Sequence, residues 1–401
     1  MTEDSVVEAA LTVDGIRLHA TAAHISRPDR NDLVLIELSD GTSTAAVFTK
    51  NAFCAAPVQI AKRHLSNAPP RYLLINSGNA NAGTGPAGID AALACCTAVA
   101  TEMQCTVDQV LPFSTGVIGQ ALPFERINSN IKALHQGLDA QAWQAASKAI
   151  MTTDTVNKLF SLEFDLDGQP VHLTGMAKGS GMIRPDMATM LSFIATDARI
   201  DAAQLQRCLH KAVAGSFNRI TVDGDTSTND AVVLMATGRS GVEINDLTLK
   251  AFQDKLNDLC ETLAKSVVRD GEGATKLINV VVEEGNSDAE SAKVAYAIAH
   301  SPLVKTAFFA SDPNWGRILA AVGYAGVEQL DIDKVELFLD DVCLVQNGGV
   351  AATYTEEQGQ RVMSNTEITV RVNLHRGKSN TTVWTCDFSY DYVKINAEYR
   401  T

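Results

Sequence analysis

The sequence has 401 residues, enough for two or three domains, and its 46% hydrophobic and 20% charged residues give the balance of a globular chain rather than a disordered one. A formal net charge of −14, dispersed without long runs of one sign, argues against nucleic acid or an anionic membrane surface as partner. No secretory signal is visible at the N-terminus, no apolar run approaches the ~18 residues of a membrane span, and the eight cysteines form neither a C-x-x-C pair nor a zinc-spaced cluster, so a cytoplasmic chain with reduced thiols is expected.

In chain order, Leu33 to Leu38 is a short apolar run and Asp40-Gly41 a turn signal, after which Thr44 to Phe48 is expected to return as a hairpin partner. Arg71 to Asn76 reads as a buried strand leading into the Gly/Asn-rich loop Ser77 to Gly88. A helix follows, with Ile89, Leu93, Cys96, Ala100 and Met103 on one face. Val110 to Ser114 is a further strand. Ile127, Ile131, Leu134 and Leu138 then recur at helical spacing. Leu162, Phe164 and Leu166 alternate up to an Asp167-Gly168 turn, and Val171 to Thr174 completes that hairpin. A Gly-rich segment, Gly175 to Met182, precedes Pro185 and the β-leaning stretch Thr189 to Thr196. Beyond it, helices are expected near 202–214, 246–268 and 288–299, and strands near 231–236, 277–283, 334–339, 367–374 and 382–388. No repeat or low-complexity linker marks a domain boundary. The fold class is α/β or α+β with an antiparallel or mixed sheet.

Several short motifs fail on context. Gly83-Thr-Gly85-Pro-Ala-Gly88 has dinucleotide-loop spacing, but loop residues separate it from the strand and no acid closes the next strand. Lys178-Gly179-Ser180 has the wrong order for a phosphate loop. Asp223-Gly224-Asp225 lacks the later ligands of a calcium loop and reads as a turn. No G-x-S-x-G elbow or catalytic histidine motif is present.

The segment from Lys178 through Gly181, Pro185, Ala188 and Thr189 to Leu191 is, by spacing alone, a Gly-rich loop, a proline turn and the start of a strand. It closely resembles the signature of the ornithine acetyltransferase family. The likeness continues, in family order, at Ser114 to Gly119, Met151 to Thr155, Asp223 to Asp230, Asp270 to Lys276, Asp312 to Arg317 and Ile395 to Thr401. It covers the chain from about Thr44 onward. Arg184 and Asp186 depart from the commoner family residues and leave the cleavage rate and substrate preference open.

The resemblance implies a layered α/β sandwich of the self-processing, N-terminal-nucleophile-like amidohydrolase type. The chain is then expected to cut itself between Ala188 and Thr189, giving an α chain, 1–188, and a β chain, 189–401, assembled as α2β2. Thr189 is implied as the nucleophile. The α-amine freed by the cut, with an ordinary pKa of roughly 7.7–8.0, serves as its base without a histidine. Thr115 and Gly116 are implied as oxyanion donors, Lys178 and Glu272 as catalytic and substrate-contacting residues, and Thr152, Asn396 and Thr401 as further substrate contacts. The implied reaction passes acetyl from N-acetylornithine to Thr189 and then to glutamate. No metal or organic cofactor is expected; acetyl-CoA as an additional acetyl donor is left open. The rival readings are a self-cleaving aminopeptidase or amidase on a related fold, which would not need glutamate, and a non-catalytic binding protein, which would not need Thr189.

Overall fold

The computed structural model describes residues 10–25, 30–184 and 190–398, so Ala188, Thr189, Asp186 and Thr401 lie outside the described residues. The chain divides into two compact units, Met1–Asn218 with Asp225–Val267, and Arg219–Gly224 with Val268–Thr401.

The first unit comprises β1 (Ile16–Thr21), β2 (Leu33–Leu38), β3 (Ser43–Phe48), α1 (Ala56–Asn67), β4 (Tyr72–Asn79), α2 (Gly85–Met103), β5 (Val110–Val117), α3 (Phe124–Gln136), α4 (Trp143–Ala149), β6 (Lys158–Leu166), β7 (Gln169–Lys178), β8 (Leu191–Thr196), α5 (Ala202–Gly215), β9 (Ala231–Ala236) and most of α6 (Leu249–Arg269). Its described strands form a four-stranded sheet, β1-β2-β4-β5, and a five-stranded sheet, β3-β9-β8-β7-β6.

Both faces of the four-stranded sheet are buried, which explains why β2 and β4 read as nearly continuous apolar runs. Because successive side chains point to opposite faces, Val34, Ile36, Leu73 and Ile75 enter the core shared with the five-stranded sheet. There they join Met176, Phe193, Val233 and Met235, and Phe113 meets Phe193 edge-to-face at 5.1 Å. Leu33, Leu35, Tyr72 and Leu74 face the other way, onto Ile60 of α1, Cys96 of α2 and Ile127 of α3. On the far side, α6 packs against β7. A side chain at Gly175 would come within 3.0 Å of Leu263 and 3.2 Å of Leu259. The first unit is thus an α/β sandwich of helix, sheet, sheet and helix layers.

Two local expectations need correction. Thr44 to Phe48 is a strand, but not the hairpin partner of Leu33 to Leu38. Both edges of β2 are taken, by β1 and β4, so the turn at Asp40-Gly41 carries the chain to the opposite sheet, where β3 pairs with β9 from Ser43–Ala236 to Phe48–Ala231. The Gly-rich loop expected from Lys178 starts one residue later, because the stretch Gly175 to Lys178 is strand. That stretch belongs to β7, where the glycine's small size admits α6.

The second unit comprises β10 (Leu277–Gly285), α7 (Asp288–Ala299), α8 (Pro302–Phe309), α9 (Trp315–Gly323), β11 (Glu336–Leu339), β12 (Val342–Gln346), β13 (Gly349–Val350), α10 (Glu356–Met363), β14 (Glu367–Asn373), β15 (Ser379–Cys386) and α11 (Tyr390–Ala397). Its six-stranded sheet runs β13-β12-β11-β14-β10-β15, with β10 parallel to β14. Ile278, Val280 and Val282 of β10 and Ile368, Val370 and Val372 of β14 pack against Val294, Ile298 and Phe308. The Asp312 to Arg317 motif is accounted for by capping: the Asn314 side chain accepts from the Arg317 amide at 3.1 Å and donates to Asp312 at 2.9 Å.

Candidate active site

In the first unit, β4 and β5 run parallel and end together. Near those ends Ser77 and Gly78 lie opposite Thr115 and Gly116, small residues at the point where the backbones close on each other. Gly116 has φ +132°, and a Cβ on it would lie 2.3 Å from the Gly78 carbonyl carbon. Buried amides tie the two ends. Ser114 donates to Asn76 at 2.5 Å, and Asn229 donates to the carbonyls of Ala80 and Ser114 at 2.6 and 2.9 Å. Replacing Gly116 by alanine is expected to strain this junction and lower both transfer activity and melting temperature. Calorimetry beside an activity assay checks it, and an alanine variant with an unchanged melting temperature would contradict the packing argument.

Thr115, buried beside Gly116, meets Lys178 at the end of β7. The Lys178 ammonium donates to Thr115 Oγ1 at 3.2 Å and to Thr152 Oγ1 at 2.9 Å. Lys178 is only 4% exposed. An ammonium can only donate, so both threonine oxygens act as acceptors toward it, and their hydroxyl hydrogens are directed elsewhere. That polarity suits donation to an oxygen that becomes negative. Three expected site residues, Thr115, Thr152 and Lys178, are therefore in direct contact, with Gly116 adjacent in the chain.

The carboxylate that organises this cluster was not singled out from the sequence. Asp154, fully buried, accepts from the Thr152 amide at 2.9 Å, the Gly179 amide at 2.7 Å and the Lys158 ammonium at 2.6 Å. Lys178 lies 4.0 Å from its second oxygen. Burial alone would raise the Asp154 pKa, but the charges of Lys178 and Lys158, with the hydrogen bonds, hold it well below the usual carboxylate range. The only available sequence signal was an acid inside the Met151 to Thr155 motif with a lysine four residues on.

Lys178 stands directly opposite Leu191 in the β7–β8 register. Met190, the residue after Thr189, is held by its amide to Asp230 at 2.8 Å and by its carbonyl to the Ala231 amide at 3.2 Å. Asn229 and Asp230 of the Asp223 to Asp230 motif thus serve as anchors. Thr189 and Ala188 themselves lie outside the described residues.

In the second unit, Glu272 is 7% exposed and accepts from the Asn396 side chain of α11 at 2.8 Å. Asp387 accepts from the amides of Thr275 and Lys276 at 2.8 and 2.9 Å and from the Thr275 hydroxyl at 2.6 Å, fixing the loop that carries Glu272. Ser389 donates to the Gly273 carbonyl at 2.6 Å, and Gly273, at φ +68°, leaves no room for a Cβ beside the Tyr392 amide. Glu272 and Asn396 are therefore brought together as a pair; Thr401 lies outside the described residues. Among the described residues, no three His, Cys, Asp or Glu side chains are placed to hold a metal, and no helix is long and apolar enough to cross a membrane.

The ArgJ family matches this chain over residues 17–401. The chain belongs to the ArgJ family. Among its relatives, the arginine biosynthesis bifunctional protein ArgJ of Psychrobacter arcticus is 54% identical over 400 residues, covering 99% of this chain and 98% of the relative. The protein of the same name from Methylococcus capsulatus is 55% identical over 392 residues, covering 97% and 96%. The crystal structure of arginine biosynthesis bifunctional protein ArgJ from Bacillus halodurans matches with a TM-score of 0.51 at 42% identity, covering 53% of this chain and all of that one.

Proposed function

We propose that this ArgJ-family enzyme of arginine biosynthesis moves acetyl from N2-acetylornithine to glutamate through an acetyl-Thr189 intermediate. The observation that carries the mechanism is the contact of Lys178 with both Thr115 and Thr152 in a chain that belongs to the family over residues 17–401. The self-processing character rests on the Ala188-Thr189 motif.

In maturation, Thr189 Oγ attacks the Ala188 carbonyl. The Ala188–Thr189 C–N bond breaks in favour of an ester, and water hydrolyses that ester to leave the Ala188 carboxylate and the free Thr189 α-amine. In the first half-reaction, the amine takes the hydroxyl proton as Oγ attacks the acetyl carbonyl of N-acetylornithine. The Thr115 hydroxyl and the Gly116 amide donate to the resulting oxyanion, each donor being worth roughly 3 kcal/mol in comparable sites. Collapse transfers the proton to the leaving nitrogen and releases ornithine. Glutamate's amine then attacks the acetyl ester by the reverse steps, leaving as N-acetylglutamate. Lys178 holds Thr115 and Thr152 in their donating orientation, and Glu272, steadied by Asn396, takes the substrate ammonium; Thr401 adds a further contact. No metal or cofactor enters. Acetyl-CoA is a second donor in this reading, consistent with the word bifunctional in the relatives' names. The 1–188 and 189–401 fragments remain paired as α2β2 in the cytoplasm.

Labelled N-acetylornithine incubated with the enzyme should give labelled N-acetylglutamate only when glutamate is present, with parallel double-reciprocal plots. Without glutamate, the 189–401 fragment should gain the mass of one acetyl group. Steady release of acetate with no need for glutamate would assign the chain instead to hydrolysis.

A further inference from the structure

Glu272 sits between Gly271 and Gly273, so the chain on either side of it has unusual backbone freedom and its position must be imposed from outside. The turn is closed by the Gly271 amide on the Val268 carbonyl at 3.0 Å and the Ala274 amide on the Gly271 carbonyl at 2.8 Å. Further holds come from the segment that follows β15. Asp387, fully buried, takes the amides of Thr275 and Lys276 on Oδ1 and the Thr275 hydroxyl on Oδ2. Ser389 donates to the Gly273 carbonyl, and Asn396 donates to one oxygen of Glu272. Asp387 is itself bracketed by Lys305 of α8. The buried Lys305 ammonium donates to the Cys386 carbonyl and, at 2.8 Å, to Thr385 Oγ1, while the Lys305 carbonyl accepts from the Phe388 amide at 3.2 Å. The residues before and after Asp387 are thus both tied to one residue of α8.

We infer that Asp387 is a positioning residue for substrate selectivity: by fixing the backbone of Thr275 and Lys276 it sets where the Glu272 carboxylate stands. It thereby sets how well the enzyme distinguishes a donor carrying a terminal ammonium from one without it. The inference rests on the reading that Glu272 takes the substrate ammonium, and extends it to a residue that touches no substrate atom. A hydrogen bond between charged groups is short and directional, so a small displacement of the loop weakens it. Recognition of the ammonium then suffers more than the handling of the acetyl group, which falls to Thr115 and Gly116 in the first unit.

The test measures kcat/KM for N2-acetylornithine and for N2-acetylnorvaline, which has the same carbon chain without the terminal ammonium. Fully cut wild type is compared with Asp387→Ala, Asp387→Asn and Thr275→Val. In Asp387→Ala the preference for N2-acetylornithine should fall about tenfold or more, the scale of one weakened hydrogen bond between charged groups. Asp387→Asn, which keeps an acceptor for the two amides, should recover most of that preference, and Thr275→Val, which removes one donor, should lose part of it. If Asp387→Ala does not fold, the near-isosteric Thr275→Val carries the comparison. A wild-type preference in the folded variants, or a loss shared equally by both substrates, overturns the inference. A wild type with no preference for N2-acetylornithine would instead sink the role given to Glu272, and one that transfers from neither substrate would sink the acetyl-transfer reading.

Discussion

Thr189→Ala should run as a single uncut chain of 401 residues by intact mass spectrometry, beside a wild type separated into 1–188 and 189–401. The variant lacks the oxygen that attacks the Ala188 carbonyl, so it never generates the free α-amine and has no group to carry acetyl. Transfer should fall on the order of 10⁶-fold, the scale seen when a covalent nucleophile is removed. Thr189→Ser keeps an oxygen in place and should still cut and transfer, more slowly. Two outcomes would overturn the mechanism. A cut alanine variant would place the processing chemistry elsewhere, and an uncut variant with near-normal transfer would remove the free amine from catalysis.

Asp154→Asn should destabilise the protein by about 3–5 kcal/mol at neutral pH, because removing one partner of a buried ion pair leaves the other charge uncompensated. Here both the Lys158 and the Lys178 ammonium groups lose the carboxylate they face. The pH dependence follows from the direction of the Asp154 shift. Its folded-state pKa lies below the ordinary value of 3.8, so the carboxylate contributes stability that is fully present above that value. The contribution is lost as pH falls through the folded-state pKa. Urea unfolding of the wild type should therefore show stability declining below about pH 4, with a shallower decline in the asparagine variant. Equal stability of the two proteins at neutral pH would mean that Asp154 is not the counter-charge the geometry describes. Transfer should also drop in the variant, since the carboxylate orders Thr152, Gly179 and Lys178 together.

Much of the secondary structure was legible because burial leaves a periodic trace. The hairpin across Asp167-Gly168 appears as β6 and β7, paired from Lys158–Ala177 to Leu166–Gln169. Ile127, Ile131 and Leu134 form the buried stripe of α3. Helices without a strong stripe or a separated turn signal escaped notice, including α1, α4 and the C-terminal α11, which carries Asn396. The strand β1 was also missed. The pairing of β3 could not be read at all, since a turn signal reports the local bend of the backbone and not which sheet the next strand joins.

The site divides in a similar way. The sequence alone determined the family motifs, the Thr115, Thr152, Lys178 and Glu272 candidates and the alternation that assigns side chains to faces, because those properties depend on residue type and spacing along the chain. Only the tertiary structure decided that Lys178 touches Thr115, 63 positions away, and Thr152, 26 positions away. It alone put Asp230 on Met190 and Asn396 on Glu272, and gave one carboxylate, Asp154, two buried lysines. Such contacts depend on sheet register and on the exclusion of water. Both are set by packing between distant segments, so an acid that looks solvated in the sequence becomes the counter-charge of the cluster once the strands close around it.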